Sequence, residues 1–339
     1  MIRLGLVGFG GVNRALAALL AQGAAGRPAR FSVTAISDLE EGSVFVPEGV
    51  TGDRLLALAE GRGLLAQLPG RQAGPANERL VASPDVDIVV EASFTNPETG
   101  EPALSLCRQA LANGKSVVTT NKGPVAFAGH ELETLARRSG ARFLYEGAVM
   151  SGTPVVRLAR TGFPGAQIRG FRGILNGTTN FMLERMGDGL DFDAALRLAQ
   201  EAGYAEANPT QDVGGHDVAL KVTILANLLF GTQLRPAEIP IGGIGGSIPE
   251  GAPDNGVWKL IGEARRAADG SVEARVGLRW LSPEDTLAGI RGATNALELD
   301  VEYLGKLVCA GPGAGRVETA YALLSDLMTL DMGRGGADG

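Results

Sequence analysis

The chain has 339 residues, 45% of them hydrophobic, enough for a sizeable core and, as a prior, for two domains. A net charge of −7 with no basic block gives no electrostatic footprint for a nucleic-acid partner, and no apolar run is long enough to span a bilayer. Two cysteines, Cys107 and Cys309, without metal-ligand spacing exclude a disulfide scaffold, and the start "MIRLGLVGFGG" lacks a signal-peptide charge pattern; a cytoplasmic protein is expected.

Residues 2–7, "IRLGLV", read as a short apolar strand. "GFGGVN" follows at 8–13, and a helical pattern of Val12, Ala15, Leu16, Leu19 and Leu20 starts at once. Strand, glycine turn and helix in that order make Gly8, Phe9, Gly10, Gly11, Val12 and Asn13 a candidate dinucleotide-binding loop. Glycines there let the backbone approach a pyrophosphate, and the helix N-terminus offers unpaired N–H groups. The plain alternative is a tight strand-to-helix turn without a ligand. Asn13 stands where the fingerprint has its third glycine, which serves close helix–strand packing, so the first crossover is expected to sit differently. The second strand, "FSVTAISD", ends in Asp38, an acid placed to bond the adenosine ribose and repel a 2′-phosphate. That favours NAD over NADP, although Arg54 or Arg62 could fold back onto a phosphate. Glu40 and Glu41 read either as a solvated loop or as added recognition charge.

Strand-like segments follow at 86–93, 116–121 and 141–149, separated by helical stretches at 102–113 and 131–139. This alternation predicts a doubly wound α/β sheet. Ligands in such sheets bind at the carboxyl ends of strands, where Ser93, Thr95, Asn121, Lys122 and Glu146 stand. Lys122 in "TTNKGP" is a candidate proton donor or substrate clamp, or simply a surface lysine.

After residue 150 the character changes. "GFRGILNGTTNFML" gives a strand, a polar turn of Asn176, Gly177, Thr178, Thr179 and Asn180, and a helix; its hydroxyl and amide side chains suit either capping or holding a small polar substrate. A helix at 192–202 ends at Gly203, and an acid-rich loop carries Tyr204, Glu206, Asp212 and His216. Next, "DVALKVTILANLLF" is apolar almost all round, the mark of a buried helix, yet holds Asp217 and Lys221 four residues apart on one face. A buried ion pair often adds little net stability, which makes a purely structural role a weak reason for those charges. The Gly/Pro-rich stretch 239–260 reads as a crossing loop, 255–268 as a helix and "SVEARVGLRWL" as a strand, with Trp258 and Trp280 as packing residues. Residues 289–315 supply strands and the "GPGAG" turn, 318–328 a helix, and 331–339 a disordered tail.

"GYAEANPTQDVGGHDVALK" resembles the signature of the homoserine dehydrogenases: Gly-Tyr-x-Glu, then Pro, Asp, Gly, Asp and finally Lys. "TTNKGPVA", "YEGAVMSGTPVV", "LNGTTNFML" and "GPGAGRVETAYALL" occur in the order that family requires, so the likeness runs from residue 1 to about 330. The resemblance implies hydride transfer between NAD(P) and the pair L-homoserine and L-aspartate 4-semialdehyde, in the threonine and methionine biosynthetic route. By position it makes Asp217 and Lys221 the catalytic pair, Lys122 the cofactor-side lysine and Glu206 the carboxylate for the substrate amino group. Gly203, Tyr204, Asp212, Gly177 and Thr178 match other substrate positions, and Gly313 and Gly315 fall in the cofactor-side glycine turn. Some members hold a monovalent cation such as Na+ or K+; the matching ligands are Glu146 and the carbonyls of Val149, Ser151 and Thr153, with Met150 where many members have glycine.

The implied architecture is α/β, a Rossmann-type nucleotide domain from residues 1–150 plus 310–330. Residues 151–309 form an inserted α+β domain with a mixed sheet that carries substrate residues and a homodimer interface. Because the chain stops soon after the last motif, a short form without a C-terminal regulatory domain is expected. Oxidising C4 requires loss of the hydroxyl proton, for which a base must lie in hydrogen-bond reach. A lysine is a poor base at its ordinary pKa of about 10.4; burial lowers it and a neighbouring aspartate raises it. Lys221 is then the proton shuttle oriented by Asp217, with Lys122 polarising the oxygen in the aldehyde direction, or the two lysines exchange roles. The rival readings are a related dehydrogenase for another small amino-acid semialdehyde or hydroxy acid, and a non-catalytic NAD(P)-binding paralogue.

Overall fold

The computed structural model describes residues 1–23, 30–61, 65–246 and 255–335. Arg62, one of the two arginines considered for a phosphate, lies outside them. The chain divides into two units, Met1–Gly152 with Gly315–Gly339, and Thr153–Ala314. No described helix is long and apolar enough to cross a membrane.

The first unit is built on a six-stranded sheet of β1 (Ile2–Val7), β2 (Phe31–Asp38), β3 (Gly42–Phe45), β4 (Ile88–Glu91), β5 (Ser116–Thr119) and β6 (Phe143–Leu144). Their spatial order is β3-β2-β1-β4-β5-β6, and the order reverses between β1 and β4. Every pair is parallel except β2–β3, an antiparallel edge for which the sequence reading offers no strand. Strands inside a parallel sheet are covered on both faces. Accordingly Leu4, Leu6, Ile88 and Val90 are fully buried, packed with Leu16 of α1 (Gly11–Gln22), Leu55 of α2 (Gly52–Glu60) and Leu323 and Leu327 of the C-terminal helix α12 (Arg316–Gly335). Helices α3 (Asn77–Ala82), α4 (Ala103–Ala112) and α5 (Lys122–Arg138) form the other packed set.

The expected strand at 141–149 shrinks to β6 and gives way to a short helix, α6 (Gly147–Met150). Gly147 permits this: a Cβ there would lie 2.6 Å from Thr120 Cγ2, so the chain turns where only glycine fits. The tail expected to be disordered from 331 begins as helix. α12 runs on to Gly335 because Asp331 is buried and accepts a 3.0 Å bond from Arg30 Nη1.

The second unit comprises α7 (Val155–Thr161), β7 (Ile168–Ile174), α8 (Gly177–Gly187), α9 (Phe192–Glu201), α10 (Thr210–Val213), α11 (His216–Phe230), β8 (Val257–Arg266), β9 (Val272–Leu281), β10 (Thr294–Val301) and β11 (Gly305–Pro312). Its sheet has the order β11-β10-β7-β8-β9 with every strand pair antiparallel, where a mixed sheet is expected; one isolated bridge, Ile241–Val276, runs parallel. The largest correction is at 255–268, read as helix and found as β8. Val257, Leu260, Ile261 and Ala264 have helical spacing, but pairing decides: β8 lies between β7 and β9 and joins β9 from Val257↔Leu281 to Arg266↔Val272. Gly262 lets α11 lie against this strand, since a Cβ there would sit 2.6 Å from Val222 Cγ2 and 2.7 Å from Val218 Cγ1. On the sheet's other face Ile174, Ile261, Leu281, Leu287, Ala288 and Ala296 make a second small core.

Candidate active site

In the first unit the loop after β1 is set by backbone needs. Gly8 has φ 73°, and a Cβ on it would lie 2.8 Å from Ala92 O, so the loop lies against the end of β4 only as glycine. Gly10 precedes α1 with nothing within 4 Å of its Cβ position, and no side chain caps the helix. The first-turn N–H groups are thus left for an anion, the requirement of a pyrophosphate. Thr95 Oγ1, at the end of β4, is buried without a hydrogen-bond partner. These features fit a dinucleotide.

Phe9 and Asn13 are only 2% and 1% exposed, so their side chains serve the loop rather than its open surface. Asn13 Nδ2 donates to Val7 O (3.1 Å) and Gly8 O (2.6 Å). The amide therefore ties helix to strand where the fingerprint relies on a glycine. Asp38 Oδ2 accepts Phe9 N–H at 2.7 Å, and Oδ1 accepts those of Glu40 and Glu41 at 2.9 Å each. Burial works to raise the Asp38 carboxyl, but the N–H groups of Glu41, Phe9 and Glu40, with Arg14 nearby, outweigh it and hold it below its ordinary value. Glu41 is no solvated loop residue: it is ion-paired to Arg14, which also donates to the carbonyls of Leu58 and Gly61. Arg54 is exposed on α2. Ser93, Asn121 and Lys122 stand at the ends of β4 and β5, with Asn121 the N-cap of α5 and Lys122 its first residue. Gly315 opens α12, its carbonyl accepting Thr319 N–H at 2.9 Å.

In the second unit the charges of α11 are confirmed as a pair. Lys221 is 4% exposed; its Nζ lies 2.8 Å from Asp217 Oδ2 and donates to Leu175 O at 2.6 Å. Asn176, just before α8, joins the remaining parts. Its Nδ2 donates to Asp212 Oδ1 (2.7 Å) and Asp217 Oδ2 (3.0 Å), while its Oδ1 accepts Thr179 N–H (2.9 Å) and so caps α8. Asp212 of α10, Asp217 and Lys221 of α11 and the start of α8 are therefore one cluster. Gly177, the first residue of α8 beside Asn176, is held to glycine by another contact: a Cβ would lie 2.5 Å from Ala293 O. Thr178 donates its hydroxyl to Tyr204 O, and the Tyr204 ring stands edge-on to Phe181 at 5.2 Å. Gly203, with φ 75°, ends α9 and turns the chain into this loop; Glu206 is exposed on it, its carbonyl accepting Gln200 Nε2 at 3.2 Å. Gly313 faces Asn295, whose amide atoms would meet a Cβ at 2.1 Å. His216 merely opens α11.

For a cation, Glu146 is buried and its N–H donates to Asp326 Oδ2 at 2.9 Å, Val149 is buried in α6, and Ser151 adopts φ 51°, ψ −122°. That backbone is strained for a non-glycine residue. Thr153, which begins the second unit, donates to Pro312 O at 3.0 Å.

A family model described as homoserine dehydrogenase matches residues 154–328, and one described as homoserine dehydrogenase, NAD binding domain, matches residues 8–146. The chain belongs to the homoserine dehydrogenase family. It is an NAD(P)-dependent oxidoreductase acting on a CH–OH group. It is 50% identical to the NAD(+)-dependent homoserine dehydrogenase of Pseudomonas canavaninivorans over 336 residues, 97% of this chain and 96% of the relative. The homoserine dehydrogenase of Methanocaldococcus jannaschii is 34% identical over 333 residues, 96% of this chain and 97% of that one. A hyperthermophilic archaeal homoserine dehydrogenase solved with NADPH superposes with a TM-score of 0.84 at 27% identity, covering 98% of each chain.

One functional candidate escapes the sequence reading and another is read there only in part. Asn176 carries a signal, an amide directly before a helix, but that predicts a cap and not two aspartate partners. Glu91 reads as the end of an apolar strand, and only the fold shows what converges on it.

Proposed function

We propose that this homoserine dehydrogenase interconverts L-homoserine and L-aspartate 4-semialdehyde with NAD as its preferred cofactor and Lys221 as its proton shuttle. The observation that carries the catalytic assignment is the buried contact of Lys221 Nζ with Asp217 at 2.8 Å, itself joined through Asn176 to Asp212. When bound, the nicotinamide accepts or returns the hydride. In its unprotonated form Lys221 takes the substrate hydroxyl proton at Nζ, and Asp217 with Leu175 O fixes where that nitrogen stands. The carboxylates of Asp212 and Glu206 suit an α-ammonium group, and Tyr204, Gly203, Gly177 and Thr178 shape the pocket. Lys122, at the start of α5, works on the cofactor side. Gly8, Gly10, Gly11 and Val12 present backbone to the pyrophosphate.

Preference for NAD is supported by Asp38, held ionised at the end of β2, and by Arg14, whose guanidinium is committed to Glu41 and two carbonyls rather than to a 2′-phosphate. The 50% identical relative is named as NAD(+)-dependent; the archaeal structure contains NADPH. Glu146, Val149, Ser151 and Thr153 would hold a monovalent cation. The setting is cytoplasmic threonine and methionine biosynthesis in a homodimer. A second copy is supported by the sheet face opposite α11, where Glu298, Arg172, Glu263 and Arg275 follow one another in alternating charge across four strands beside a groove of about 540 Å³.

The test follows reduced-nicotinamide absorbance with L-homoserine, NAD against NADP, and wild type against Lys221→Ala. Turnover favouring NAD and abolished by the substitution is expected. A folded protein that binds a cofactor but turns over no homoserine would refute the assignment.

A further inference from the structure

Glu91 is one of the buried charged side chains left unused by the chemistry above. It ends β4 with 0% exposure and lies beside no cation among the described residues. Its Oε1 accepts Ser93 N–H (2.9 Å), Ser93 Oγ–H (2.6 Å) and Asn121 Nδ2 (3.2 Å); its Oε2 accepts Thr119 Oγ–H (2.8 Å) and Asn121 Nδ2 (2.9 Å). Asn121 Nδ2 also donates to Ser93 O at 2.9 Å, and Thr119 Oγ1 accepts Asn121 N–H at 2.9 Å. One carboxylate thus gathers the loop after β4 and the N-cap of α5, the residue before Lys122.

A doubly wound sheet binds a dinucleotide in two halves either side of the point where strand order reverses. The glycine loop after β1 and Asp38 after β2 serve the adenine-nucleotide half, so the β4–β5 edge falls to the nicotinamide half. We propose that Glu91 is a positioning residue for that half: its carboxylate sets Ser93, Thr119 and Asn121 at the edge where the nicotinamide nucleotide binds. The inference rests on the cofactor reading above. An acceptor-only group is what this place requires, because every neighbour donates. Burial pushes the Glu91 carboxyl upward, and the bonds from Ser93, Asn121 and Thr119 oppose that push. A neutral Gln would turn an amide N–H₂ toward the Ser93 N–H or the Asn121 amide, and one of them must give way.

The test compares equilibrium binding of NADH and of ADP-ribose, which lacks the nicotinamide, to full-length wild type and Glu91→Gln. The Kd for NADH should rise tenfold or more while that for ADP-ribose stays within twofold. The KM for homoserine should stay within threefold. A purely structural role would weaken both ligands together, and that result, or no change in either, overturns the proposal. Should Glu91→Gln fail to fold, Thr119→Val removes one hydroxyl, with its bond to Glu91 and the one it accepts from Asn121 N–H, and should move the same ratio by threefold or more; an unmoved ratio there also overturns it. The ratio is read without turnover, so failure of the homoserine assignment would leave it standing. A wild type that binds no NADH would sink both readings.

Discussion

Asn176 does two jobs with two ends of one amide, and they can be separated. Its Oδ1 caps α8 through Thr179 N–H; its Nδ2 clamps Asp212 and Asp217 at 2.7 and 3.0 Å. Asn176→Ala removes both, whereas Asn176→Ser keeps a capping oxygen of nearly equal quality and loses the two-armed donor. The cap is worth about 1 kcal/mol. Each bond to a carboxylate is worth about 1.5 kcal/mol, the low end of the charged range, because water can replace part of it at the half-buried Asp212 and Asp217. Losing both arms removes about 3 kcal/mol of positioning, so kcat/KM for homoserine should fall roughly 100-fold in either variant. Urea unfolding should place the Ala variant about 1 kcal/mol below the Ser variant. Steady-state kinetics and denaturant titration on the three proteins decide it. A Ser variant with wild-type kcat/KM would refute the clamp, and a Ser variant as unstable as Ala would refute the cap.

Lys259, 2% exposed in β8, donates to Asn180 Oδ1 and Ile290 O at 2.7 Å each, and burial lowers its pKa to about 8. A depressed lysine carries a charging penalty that is fully present below pH 8. That penalty is relieved between 8 and 10.5, where the native state has shed its proton and the unfolded chain still binds one. Relative to Lys259→Met, wild-type unfolding free energy should therefore rise by about 3 kcal/mol across that window, read from denaturant midpoints; a flat difference would contradict it. Glu298, with burial opposing and Arg172 and Thr286 prevailing, is lowered to about 2. Its stabilisation is complete above pH 4.5 and should fade as pH drops toward 2, by about 3 kcal/mol against Glu298→Gln in acid unfolding curves. Gly262→Ala should destabilise by about 2 kcal/mol through overpacking against Val218 and Val222, and lower turnover as α11 is displaced.

How much of this was legible in the sequence follows from which forces act locally. β1, its glycine loop and α1 are readable because strand period, loop glycines and helix period change within a few residues. The pairing of Asp217 with Lys221 is readable for the same reason, since four residues on a helix fix a distance without knowledge of the fold. β8 is not readable: "VWKLIGEARR" satisfies a helical template as well as a strand one, and only ten residues of pairing with β9 and contact with α11 choose between them. The antiparallel β3 is hidden likewise, beside a turn whose acids suggest solvent until Arg14 reaches Glu41 from α1.

The polar groups that hold the site are the least legible part, and the reason is energetic. A buried amide or carboxylate is tolerated only when its partners are in place, and those partners come from elsewhere in the chain. Asn176 meets Asp212 and Asp217 some forty residues on, and Glu91 meets Thr119 and Asn121 across a strand pair. Residue type alone makes Glu91 an expensive end to an apolar strand, and α11 too apolar a helix for a lysine. Each expense signals that something nonlocal offsets it. For Lys221 that something is Asp217 together with the carbonyl of Leu175, and the position they fix is the one assigned to the proton shuttle in the proposal above.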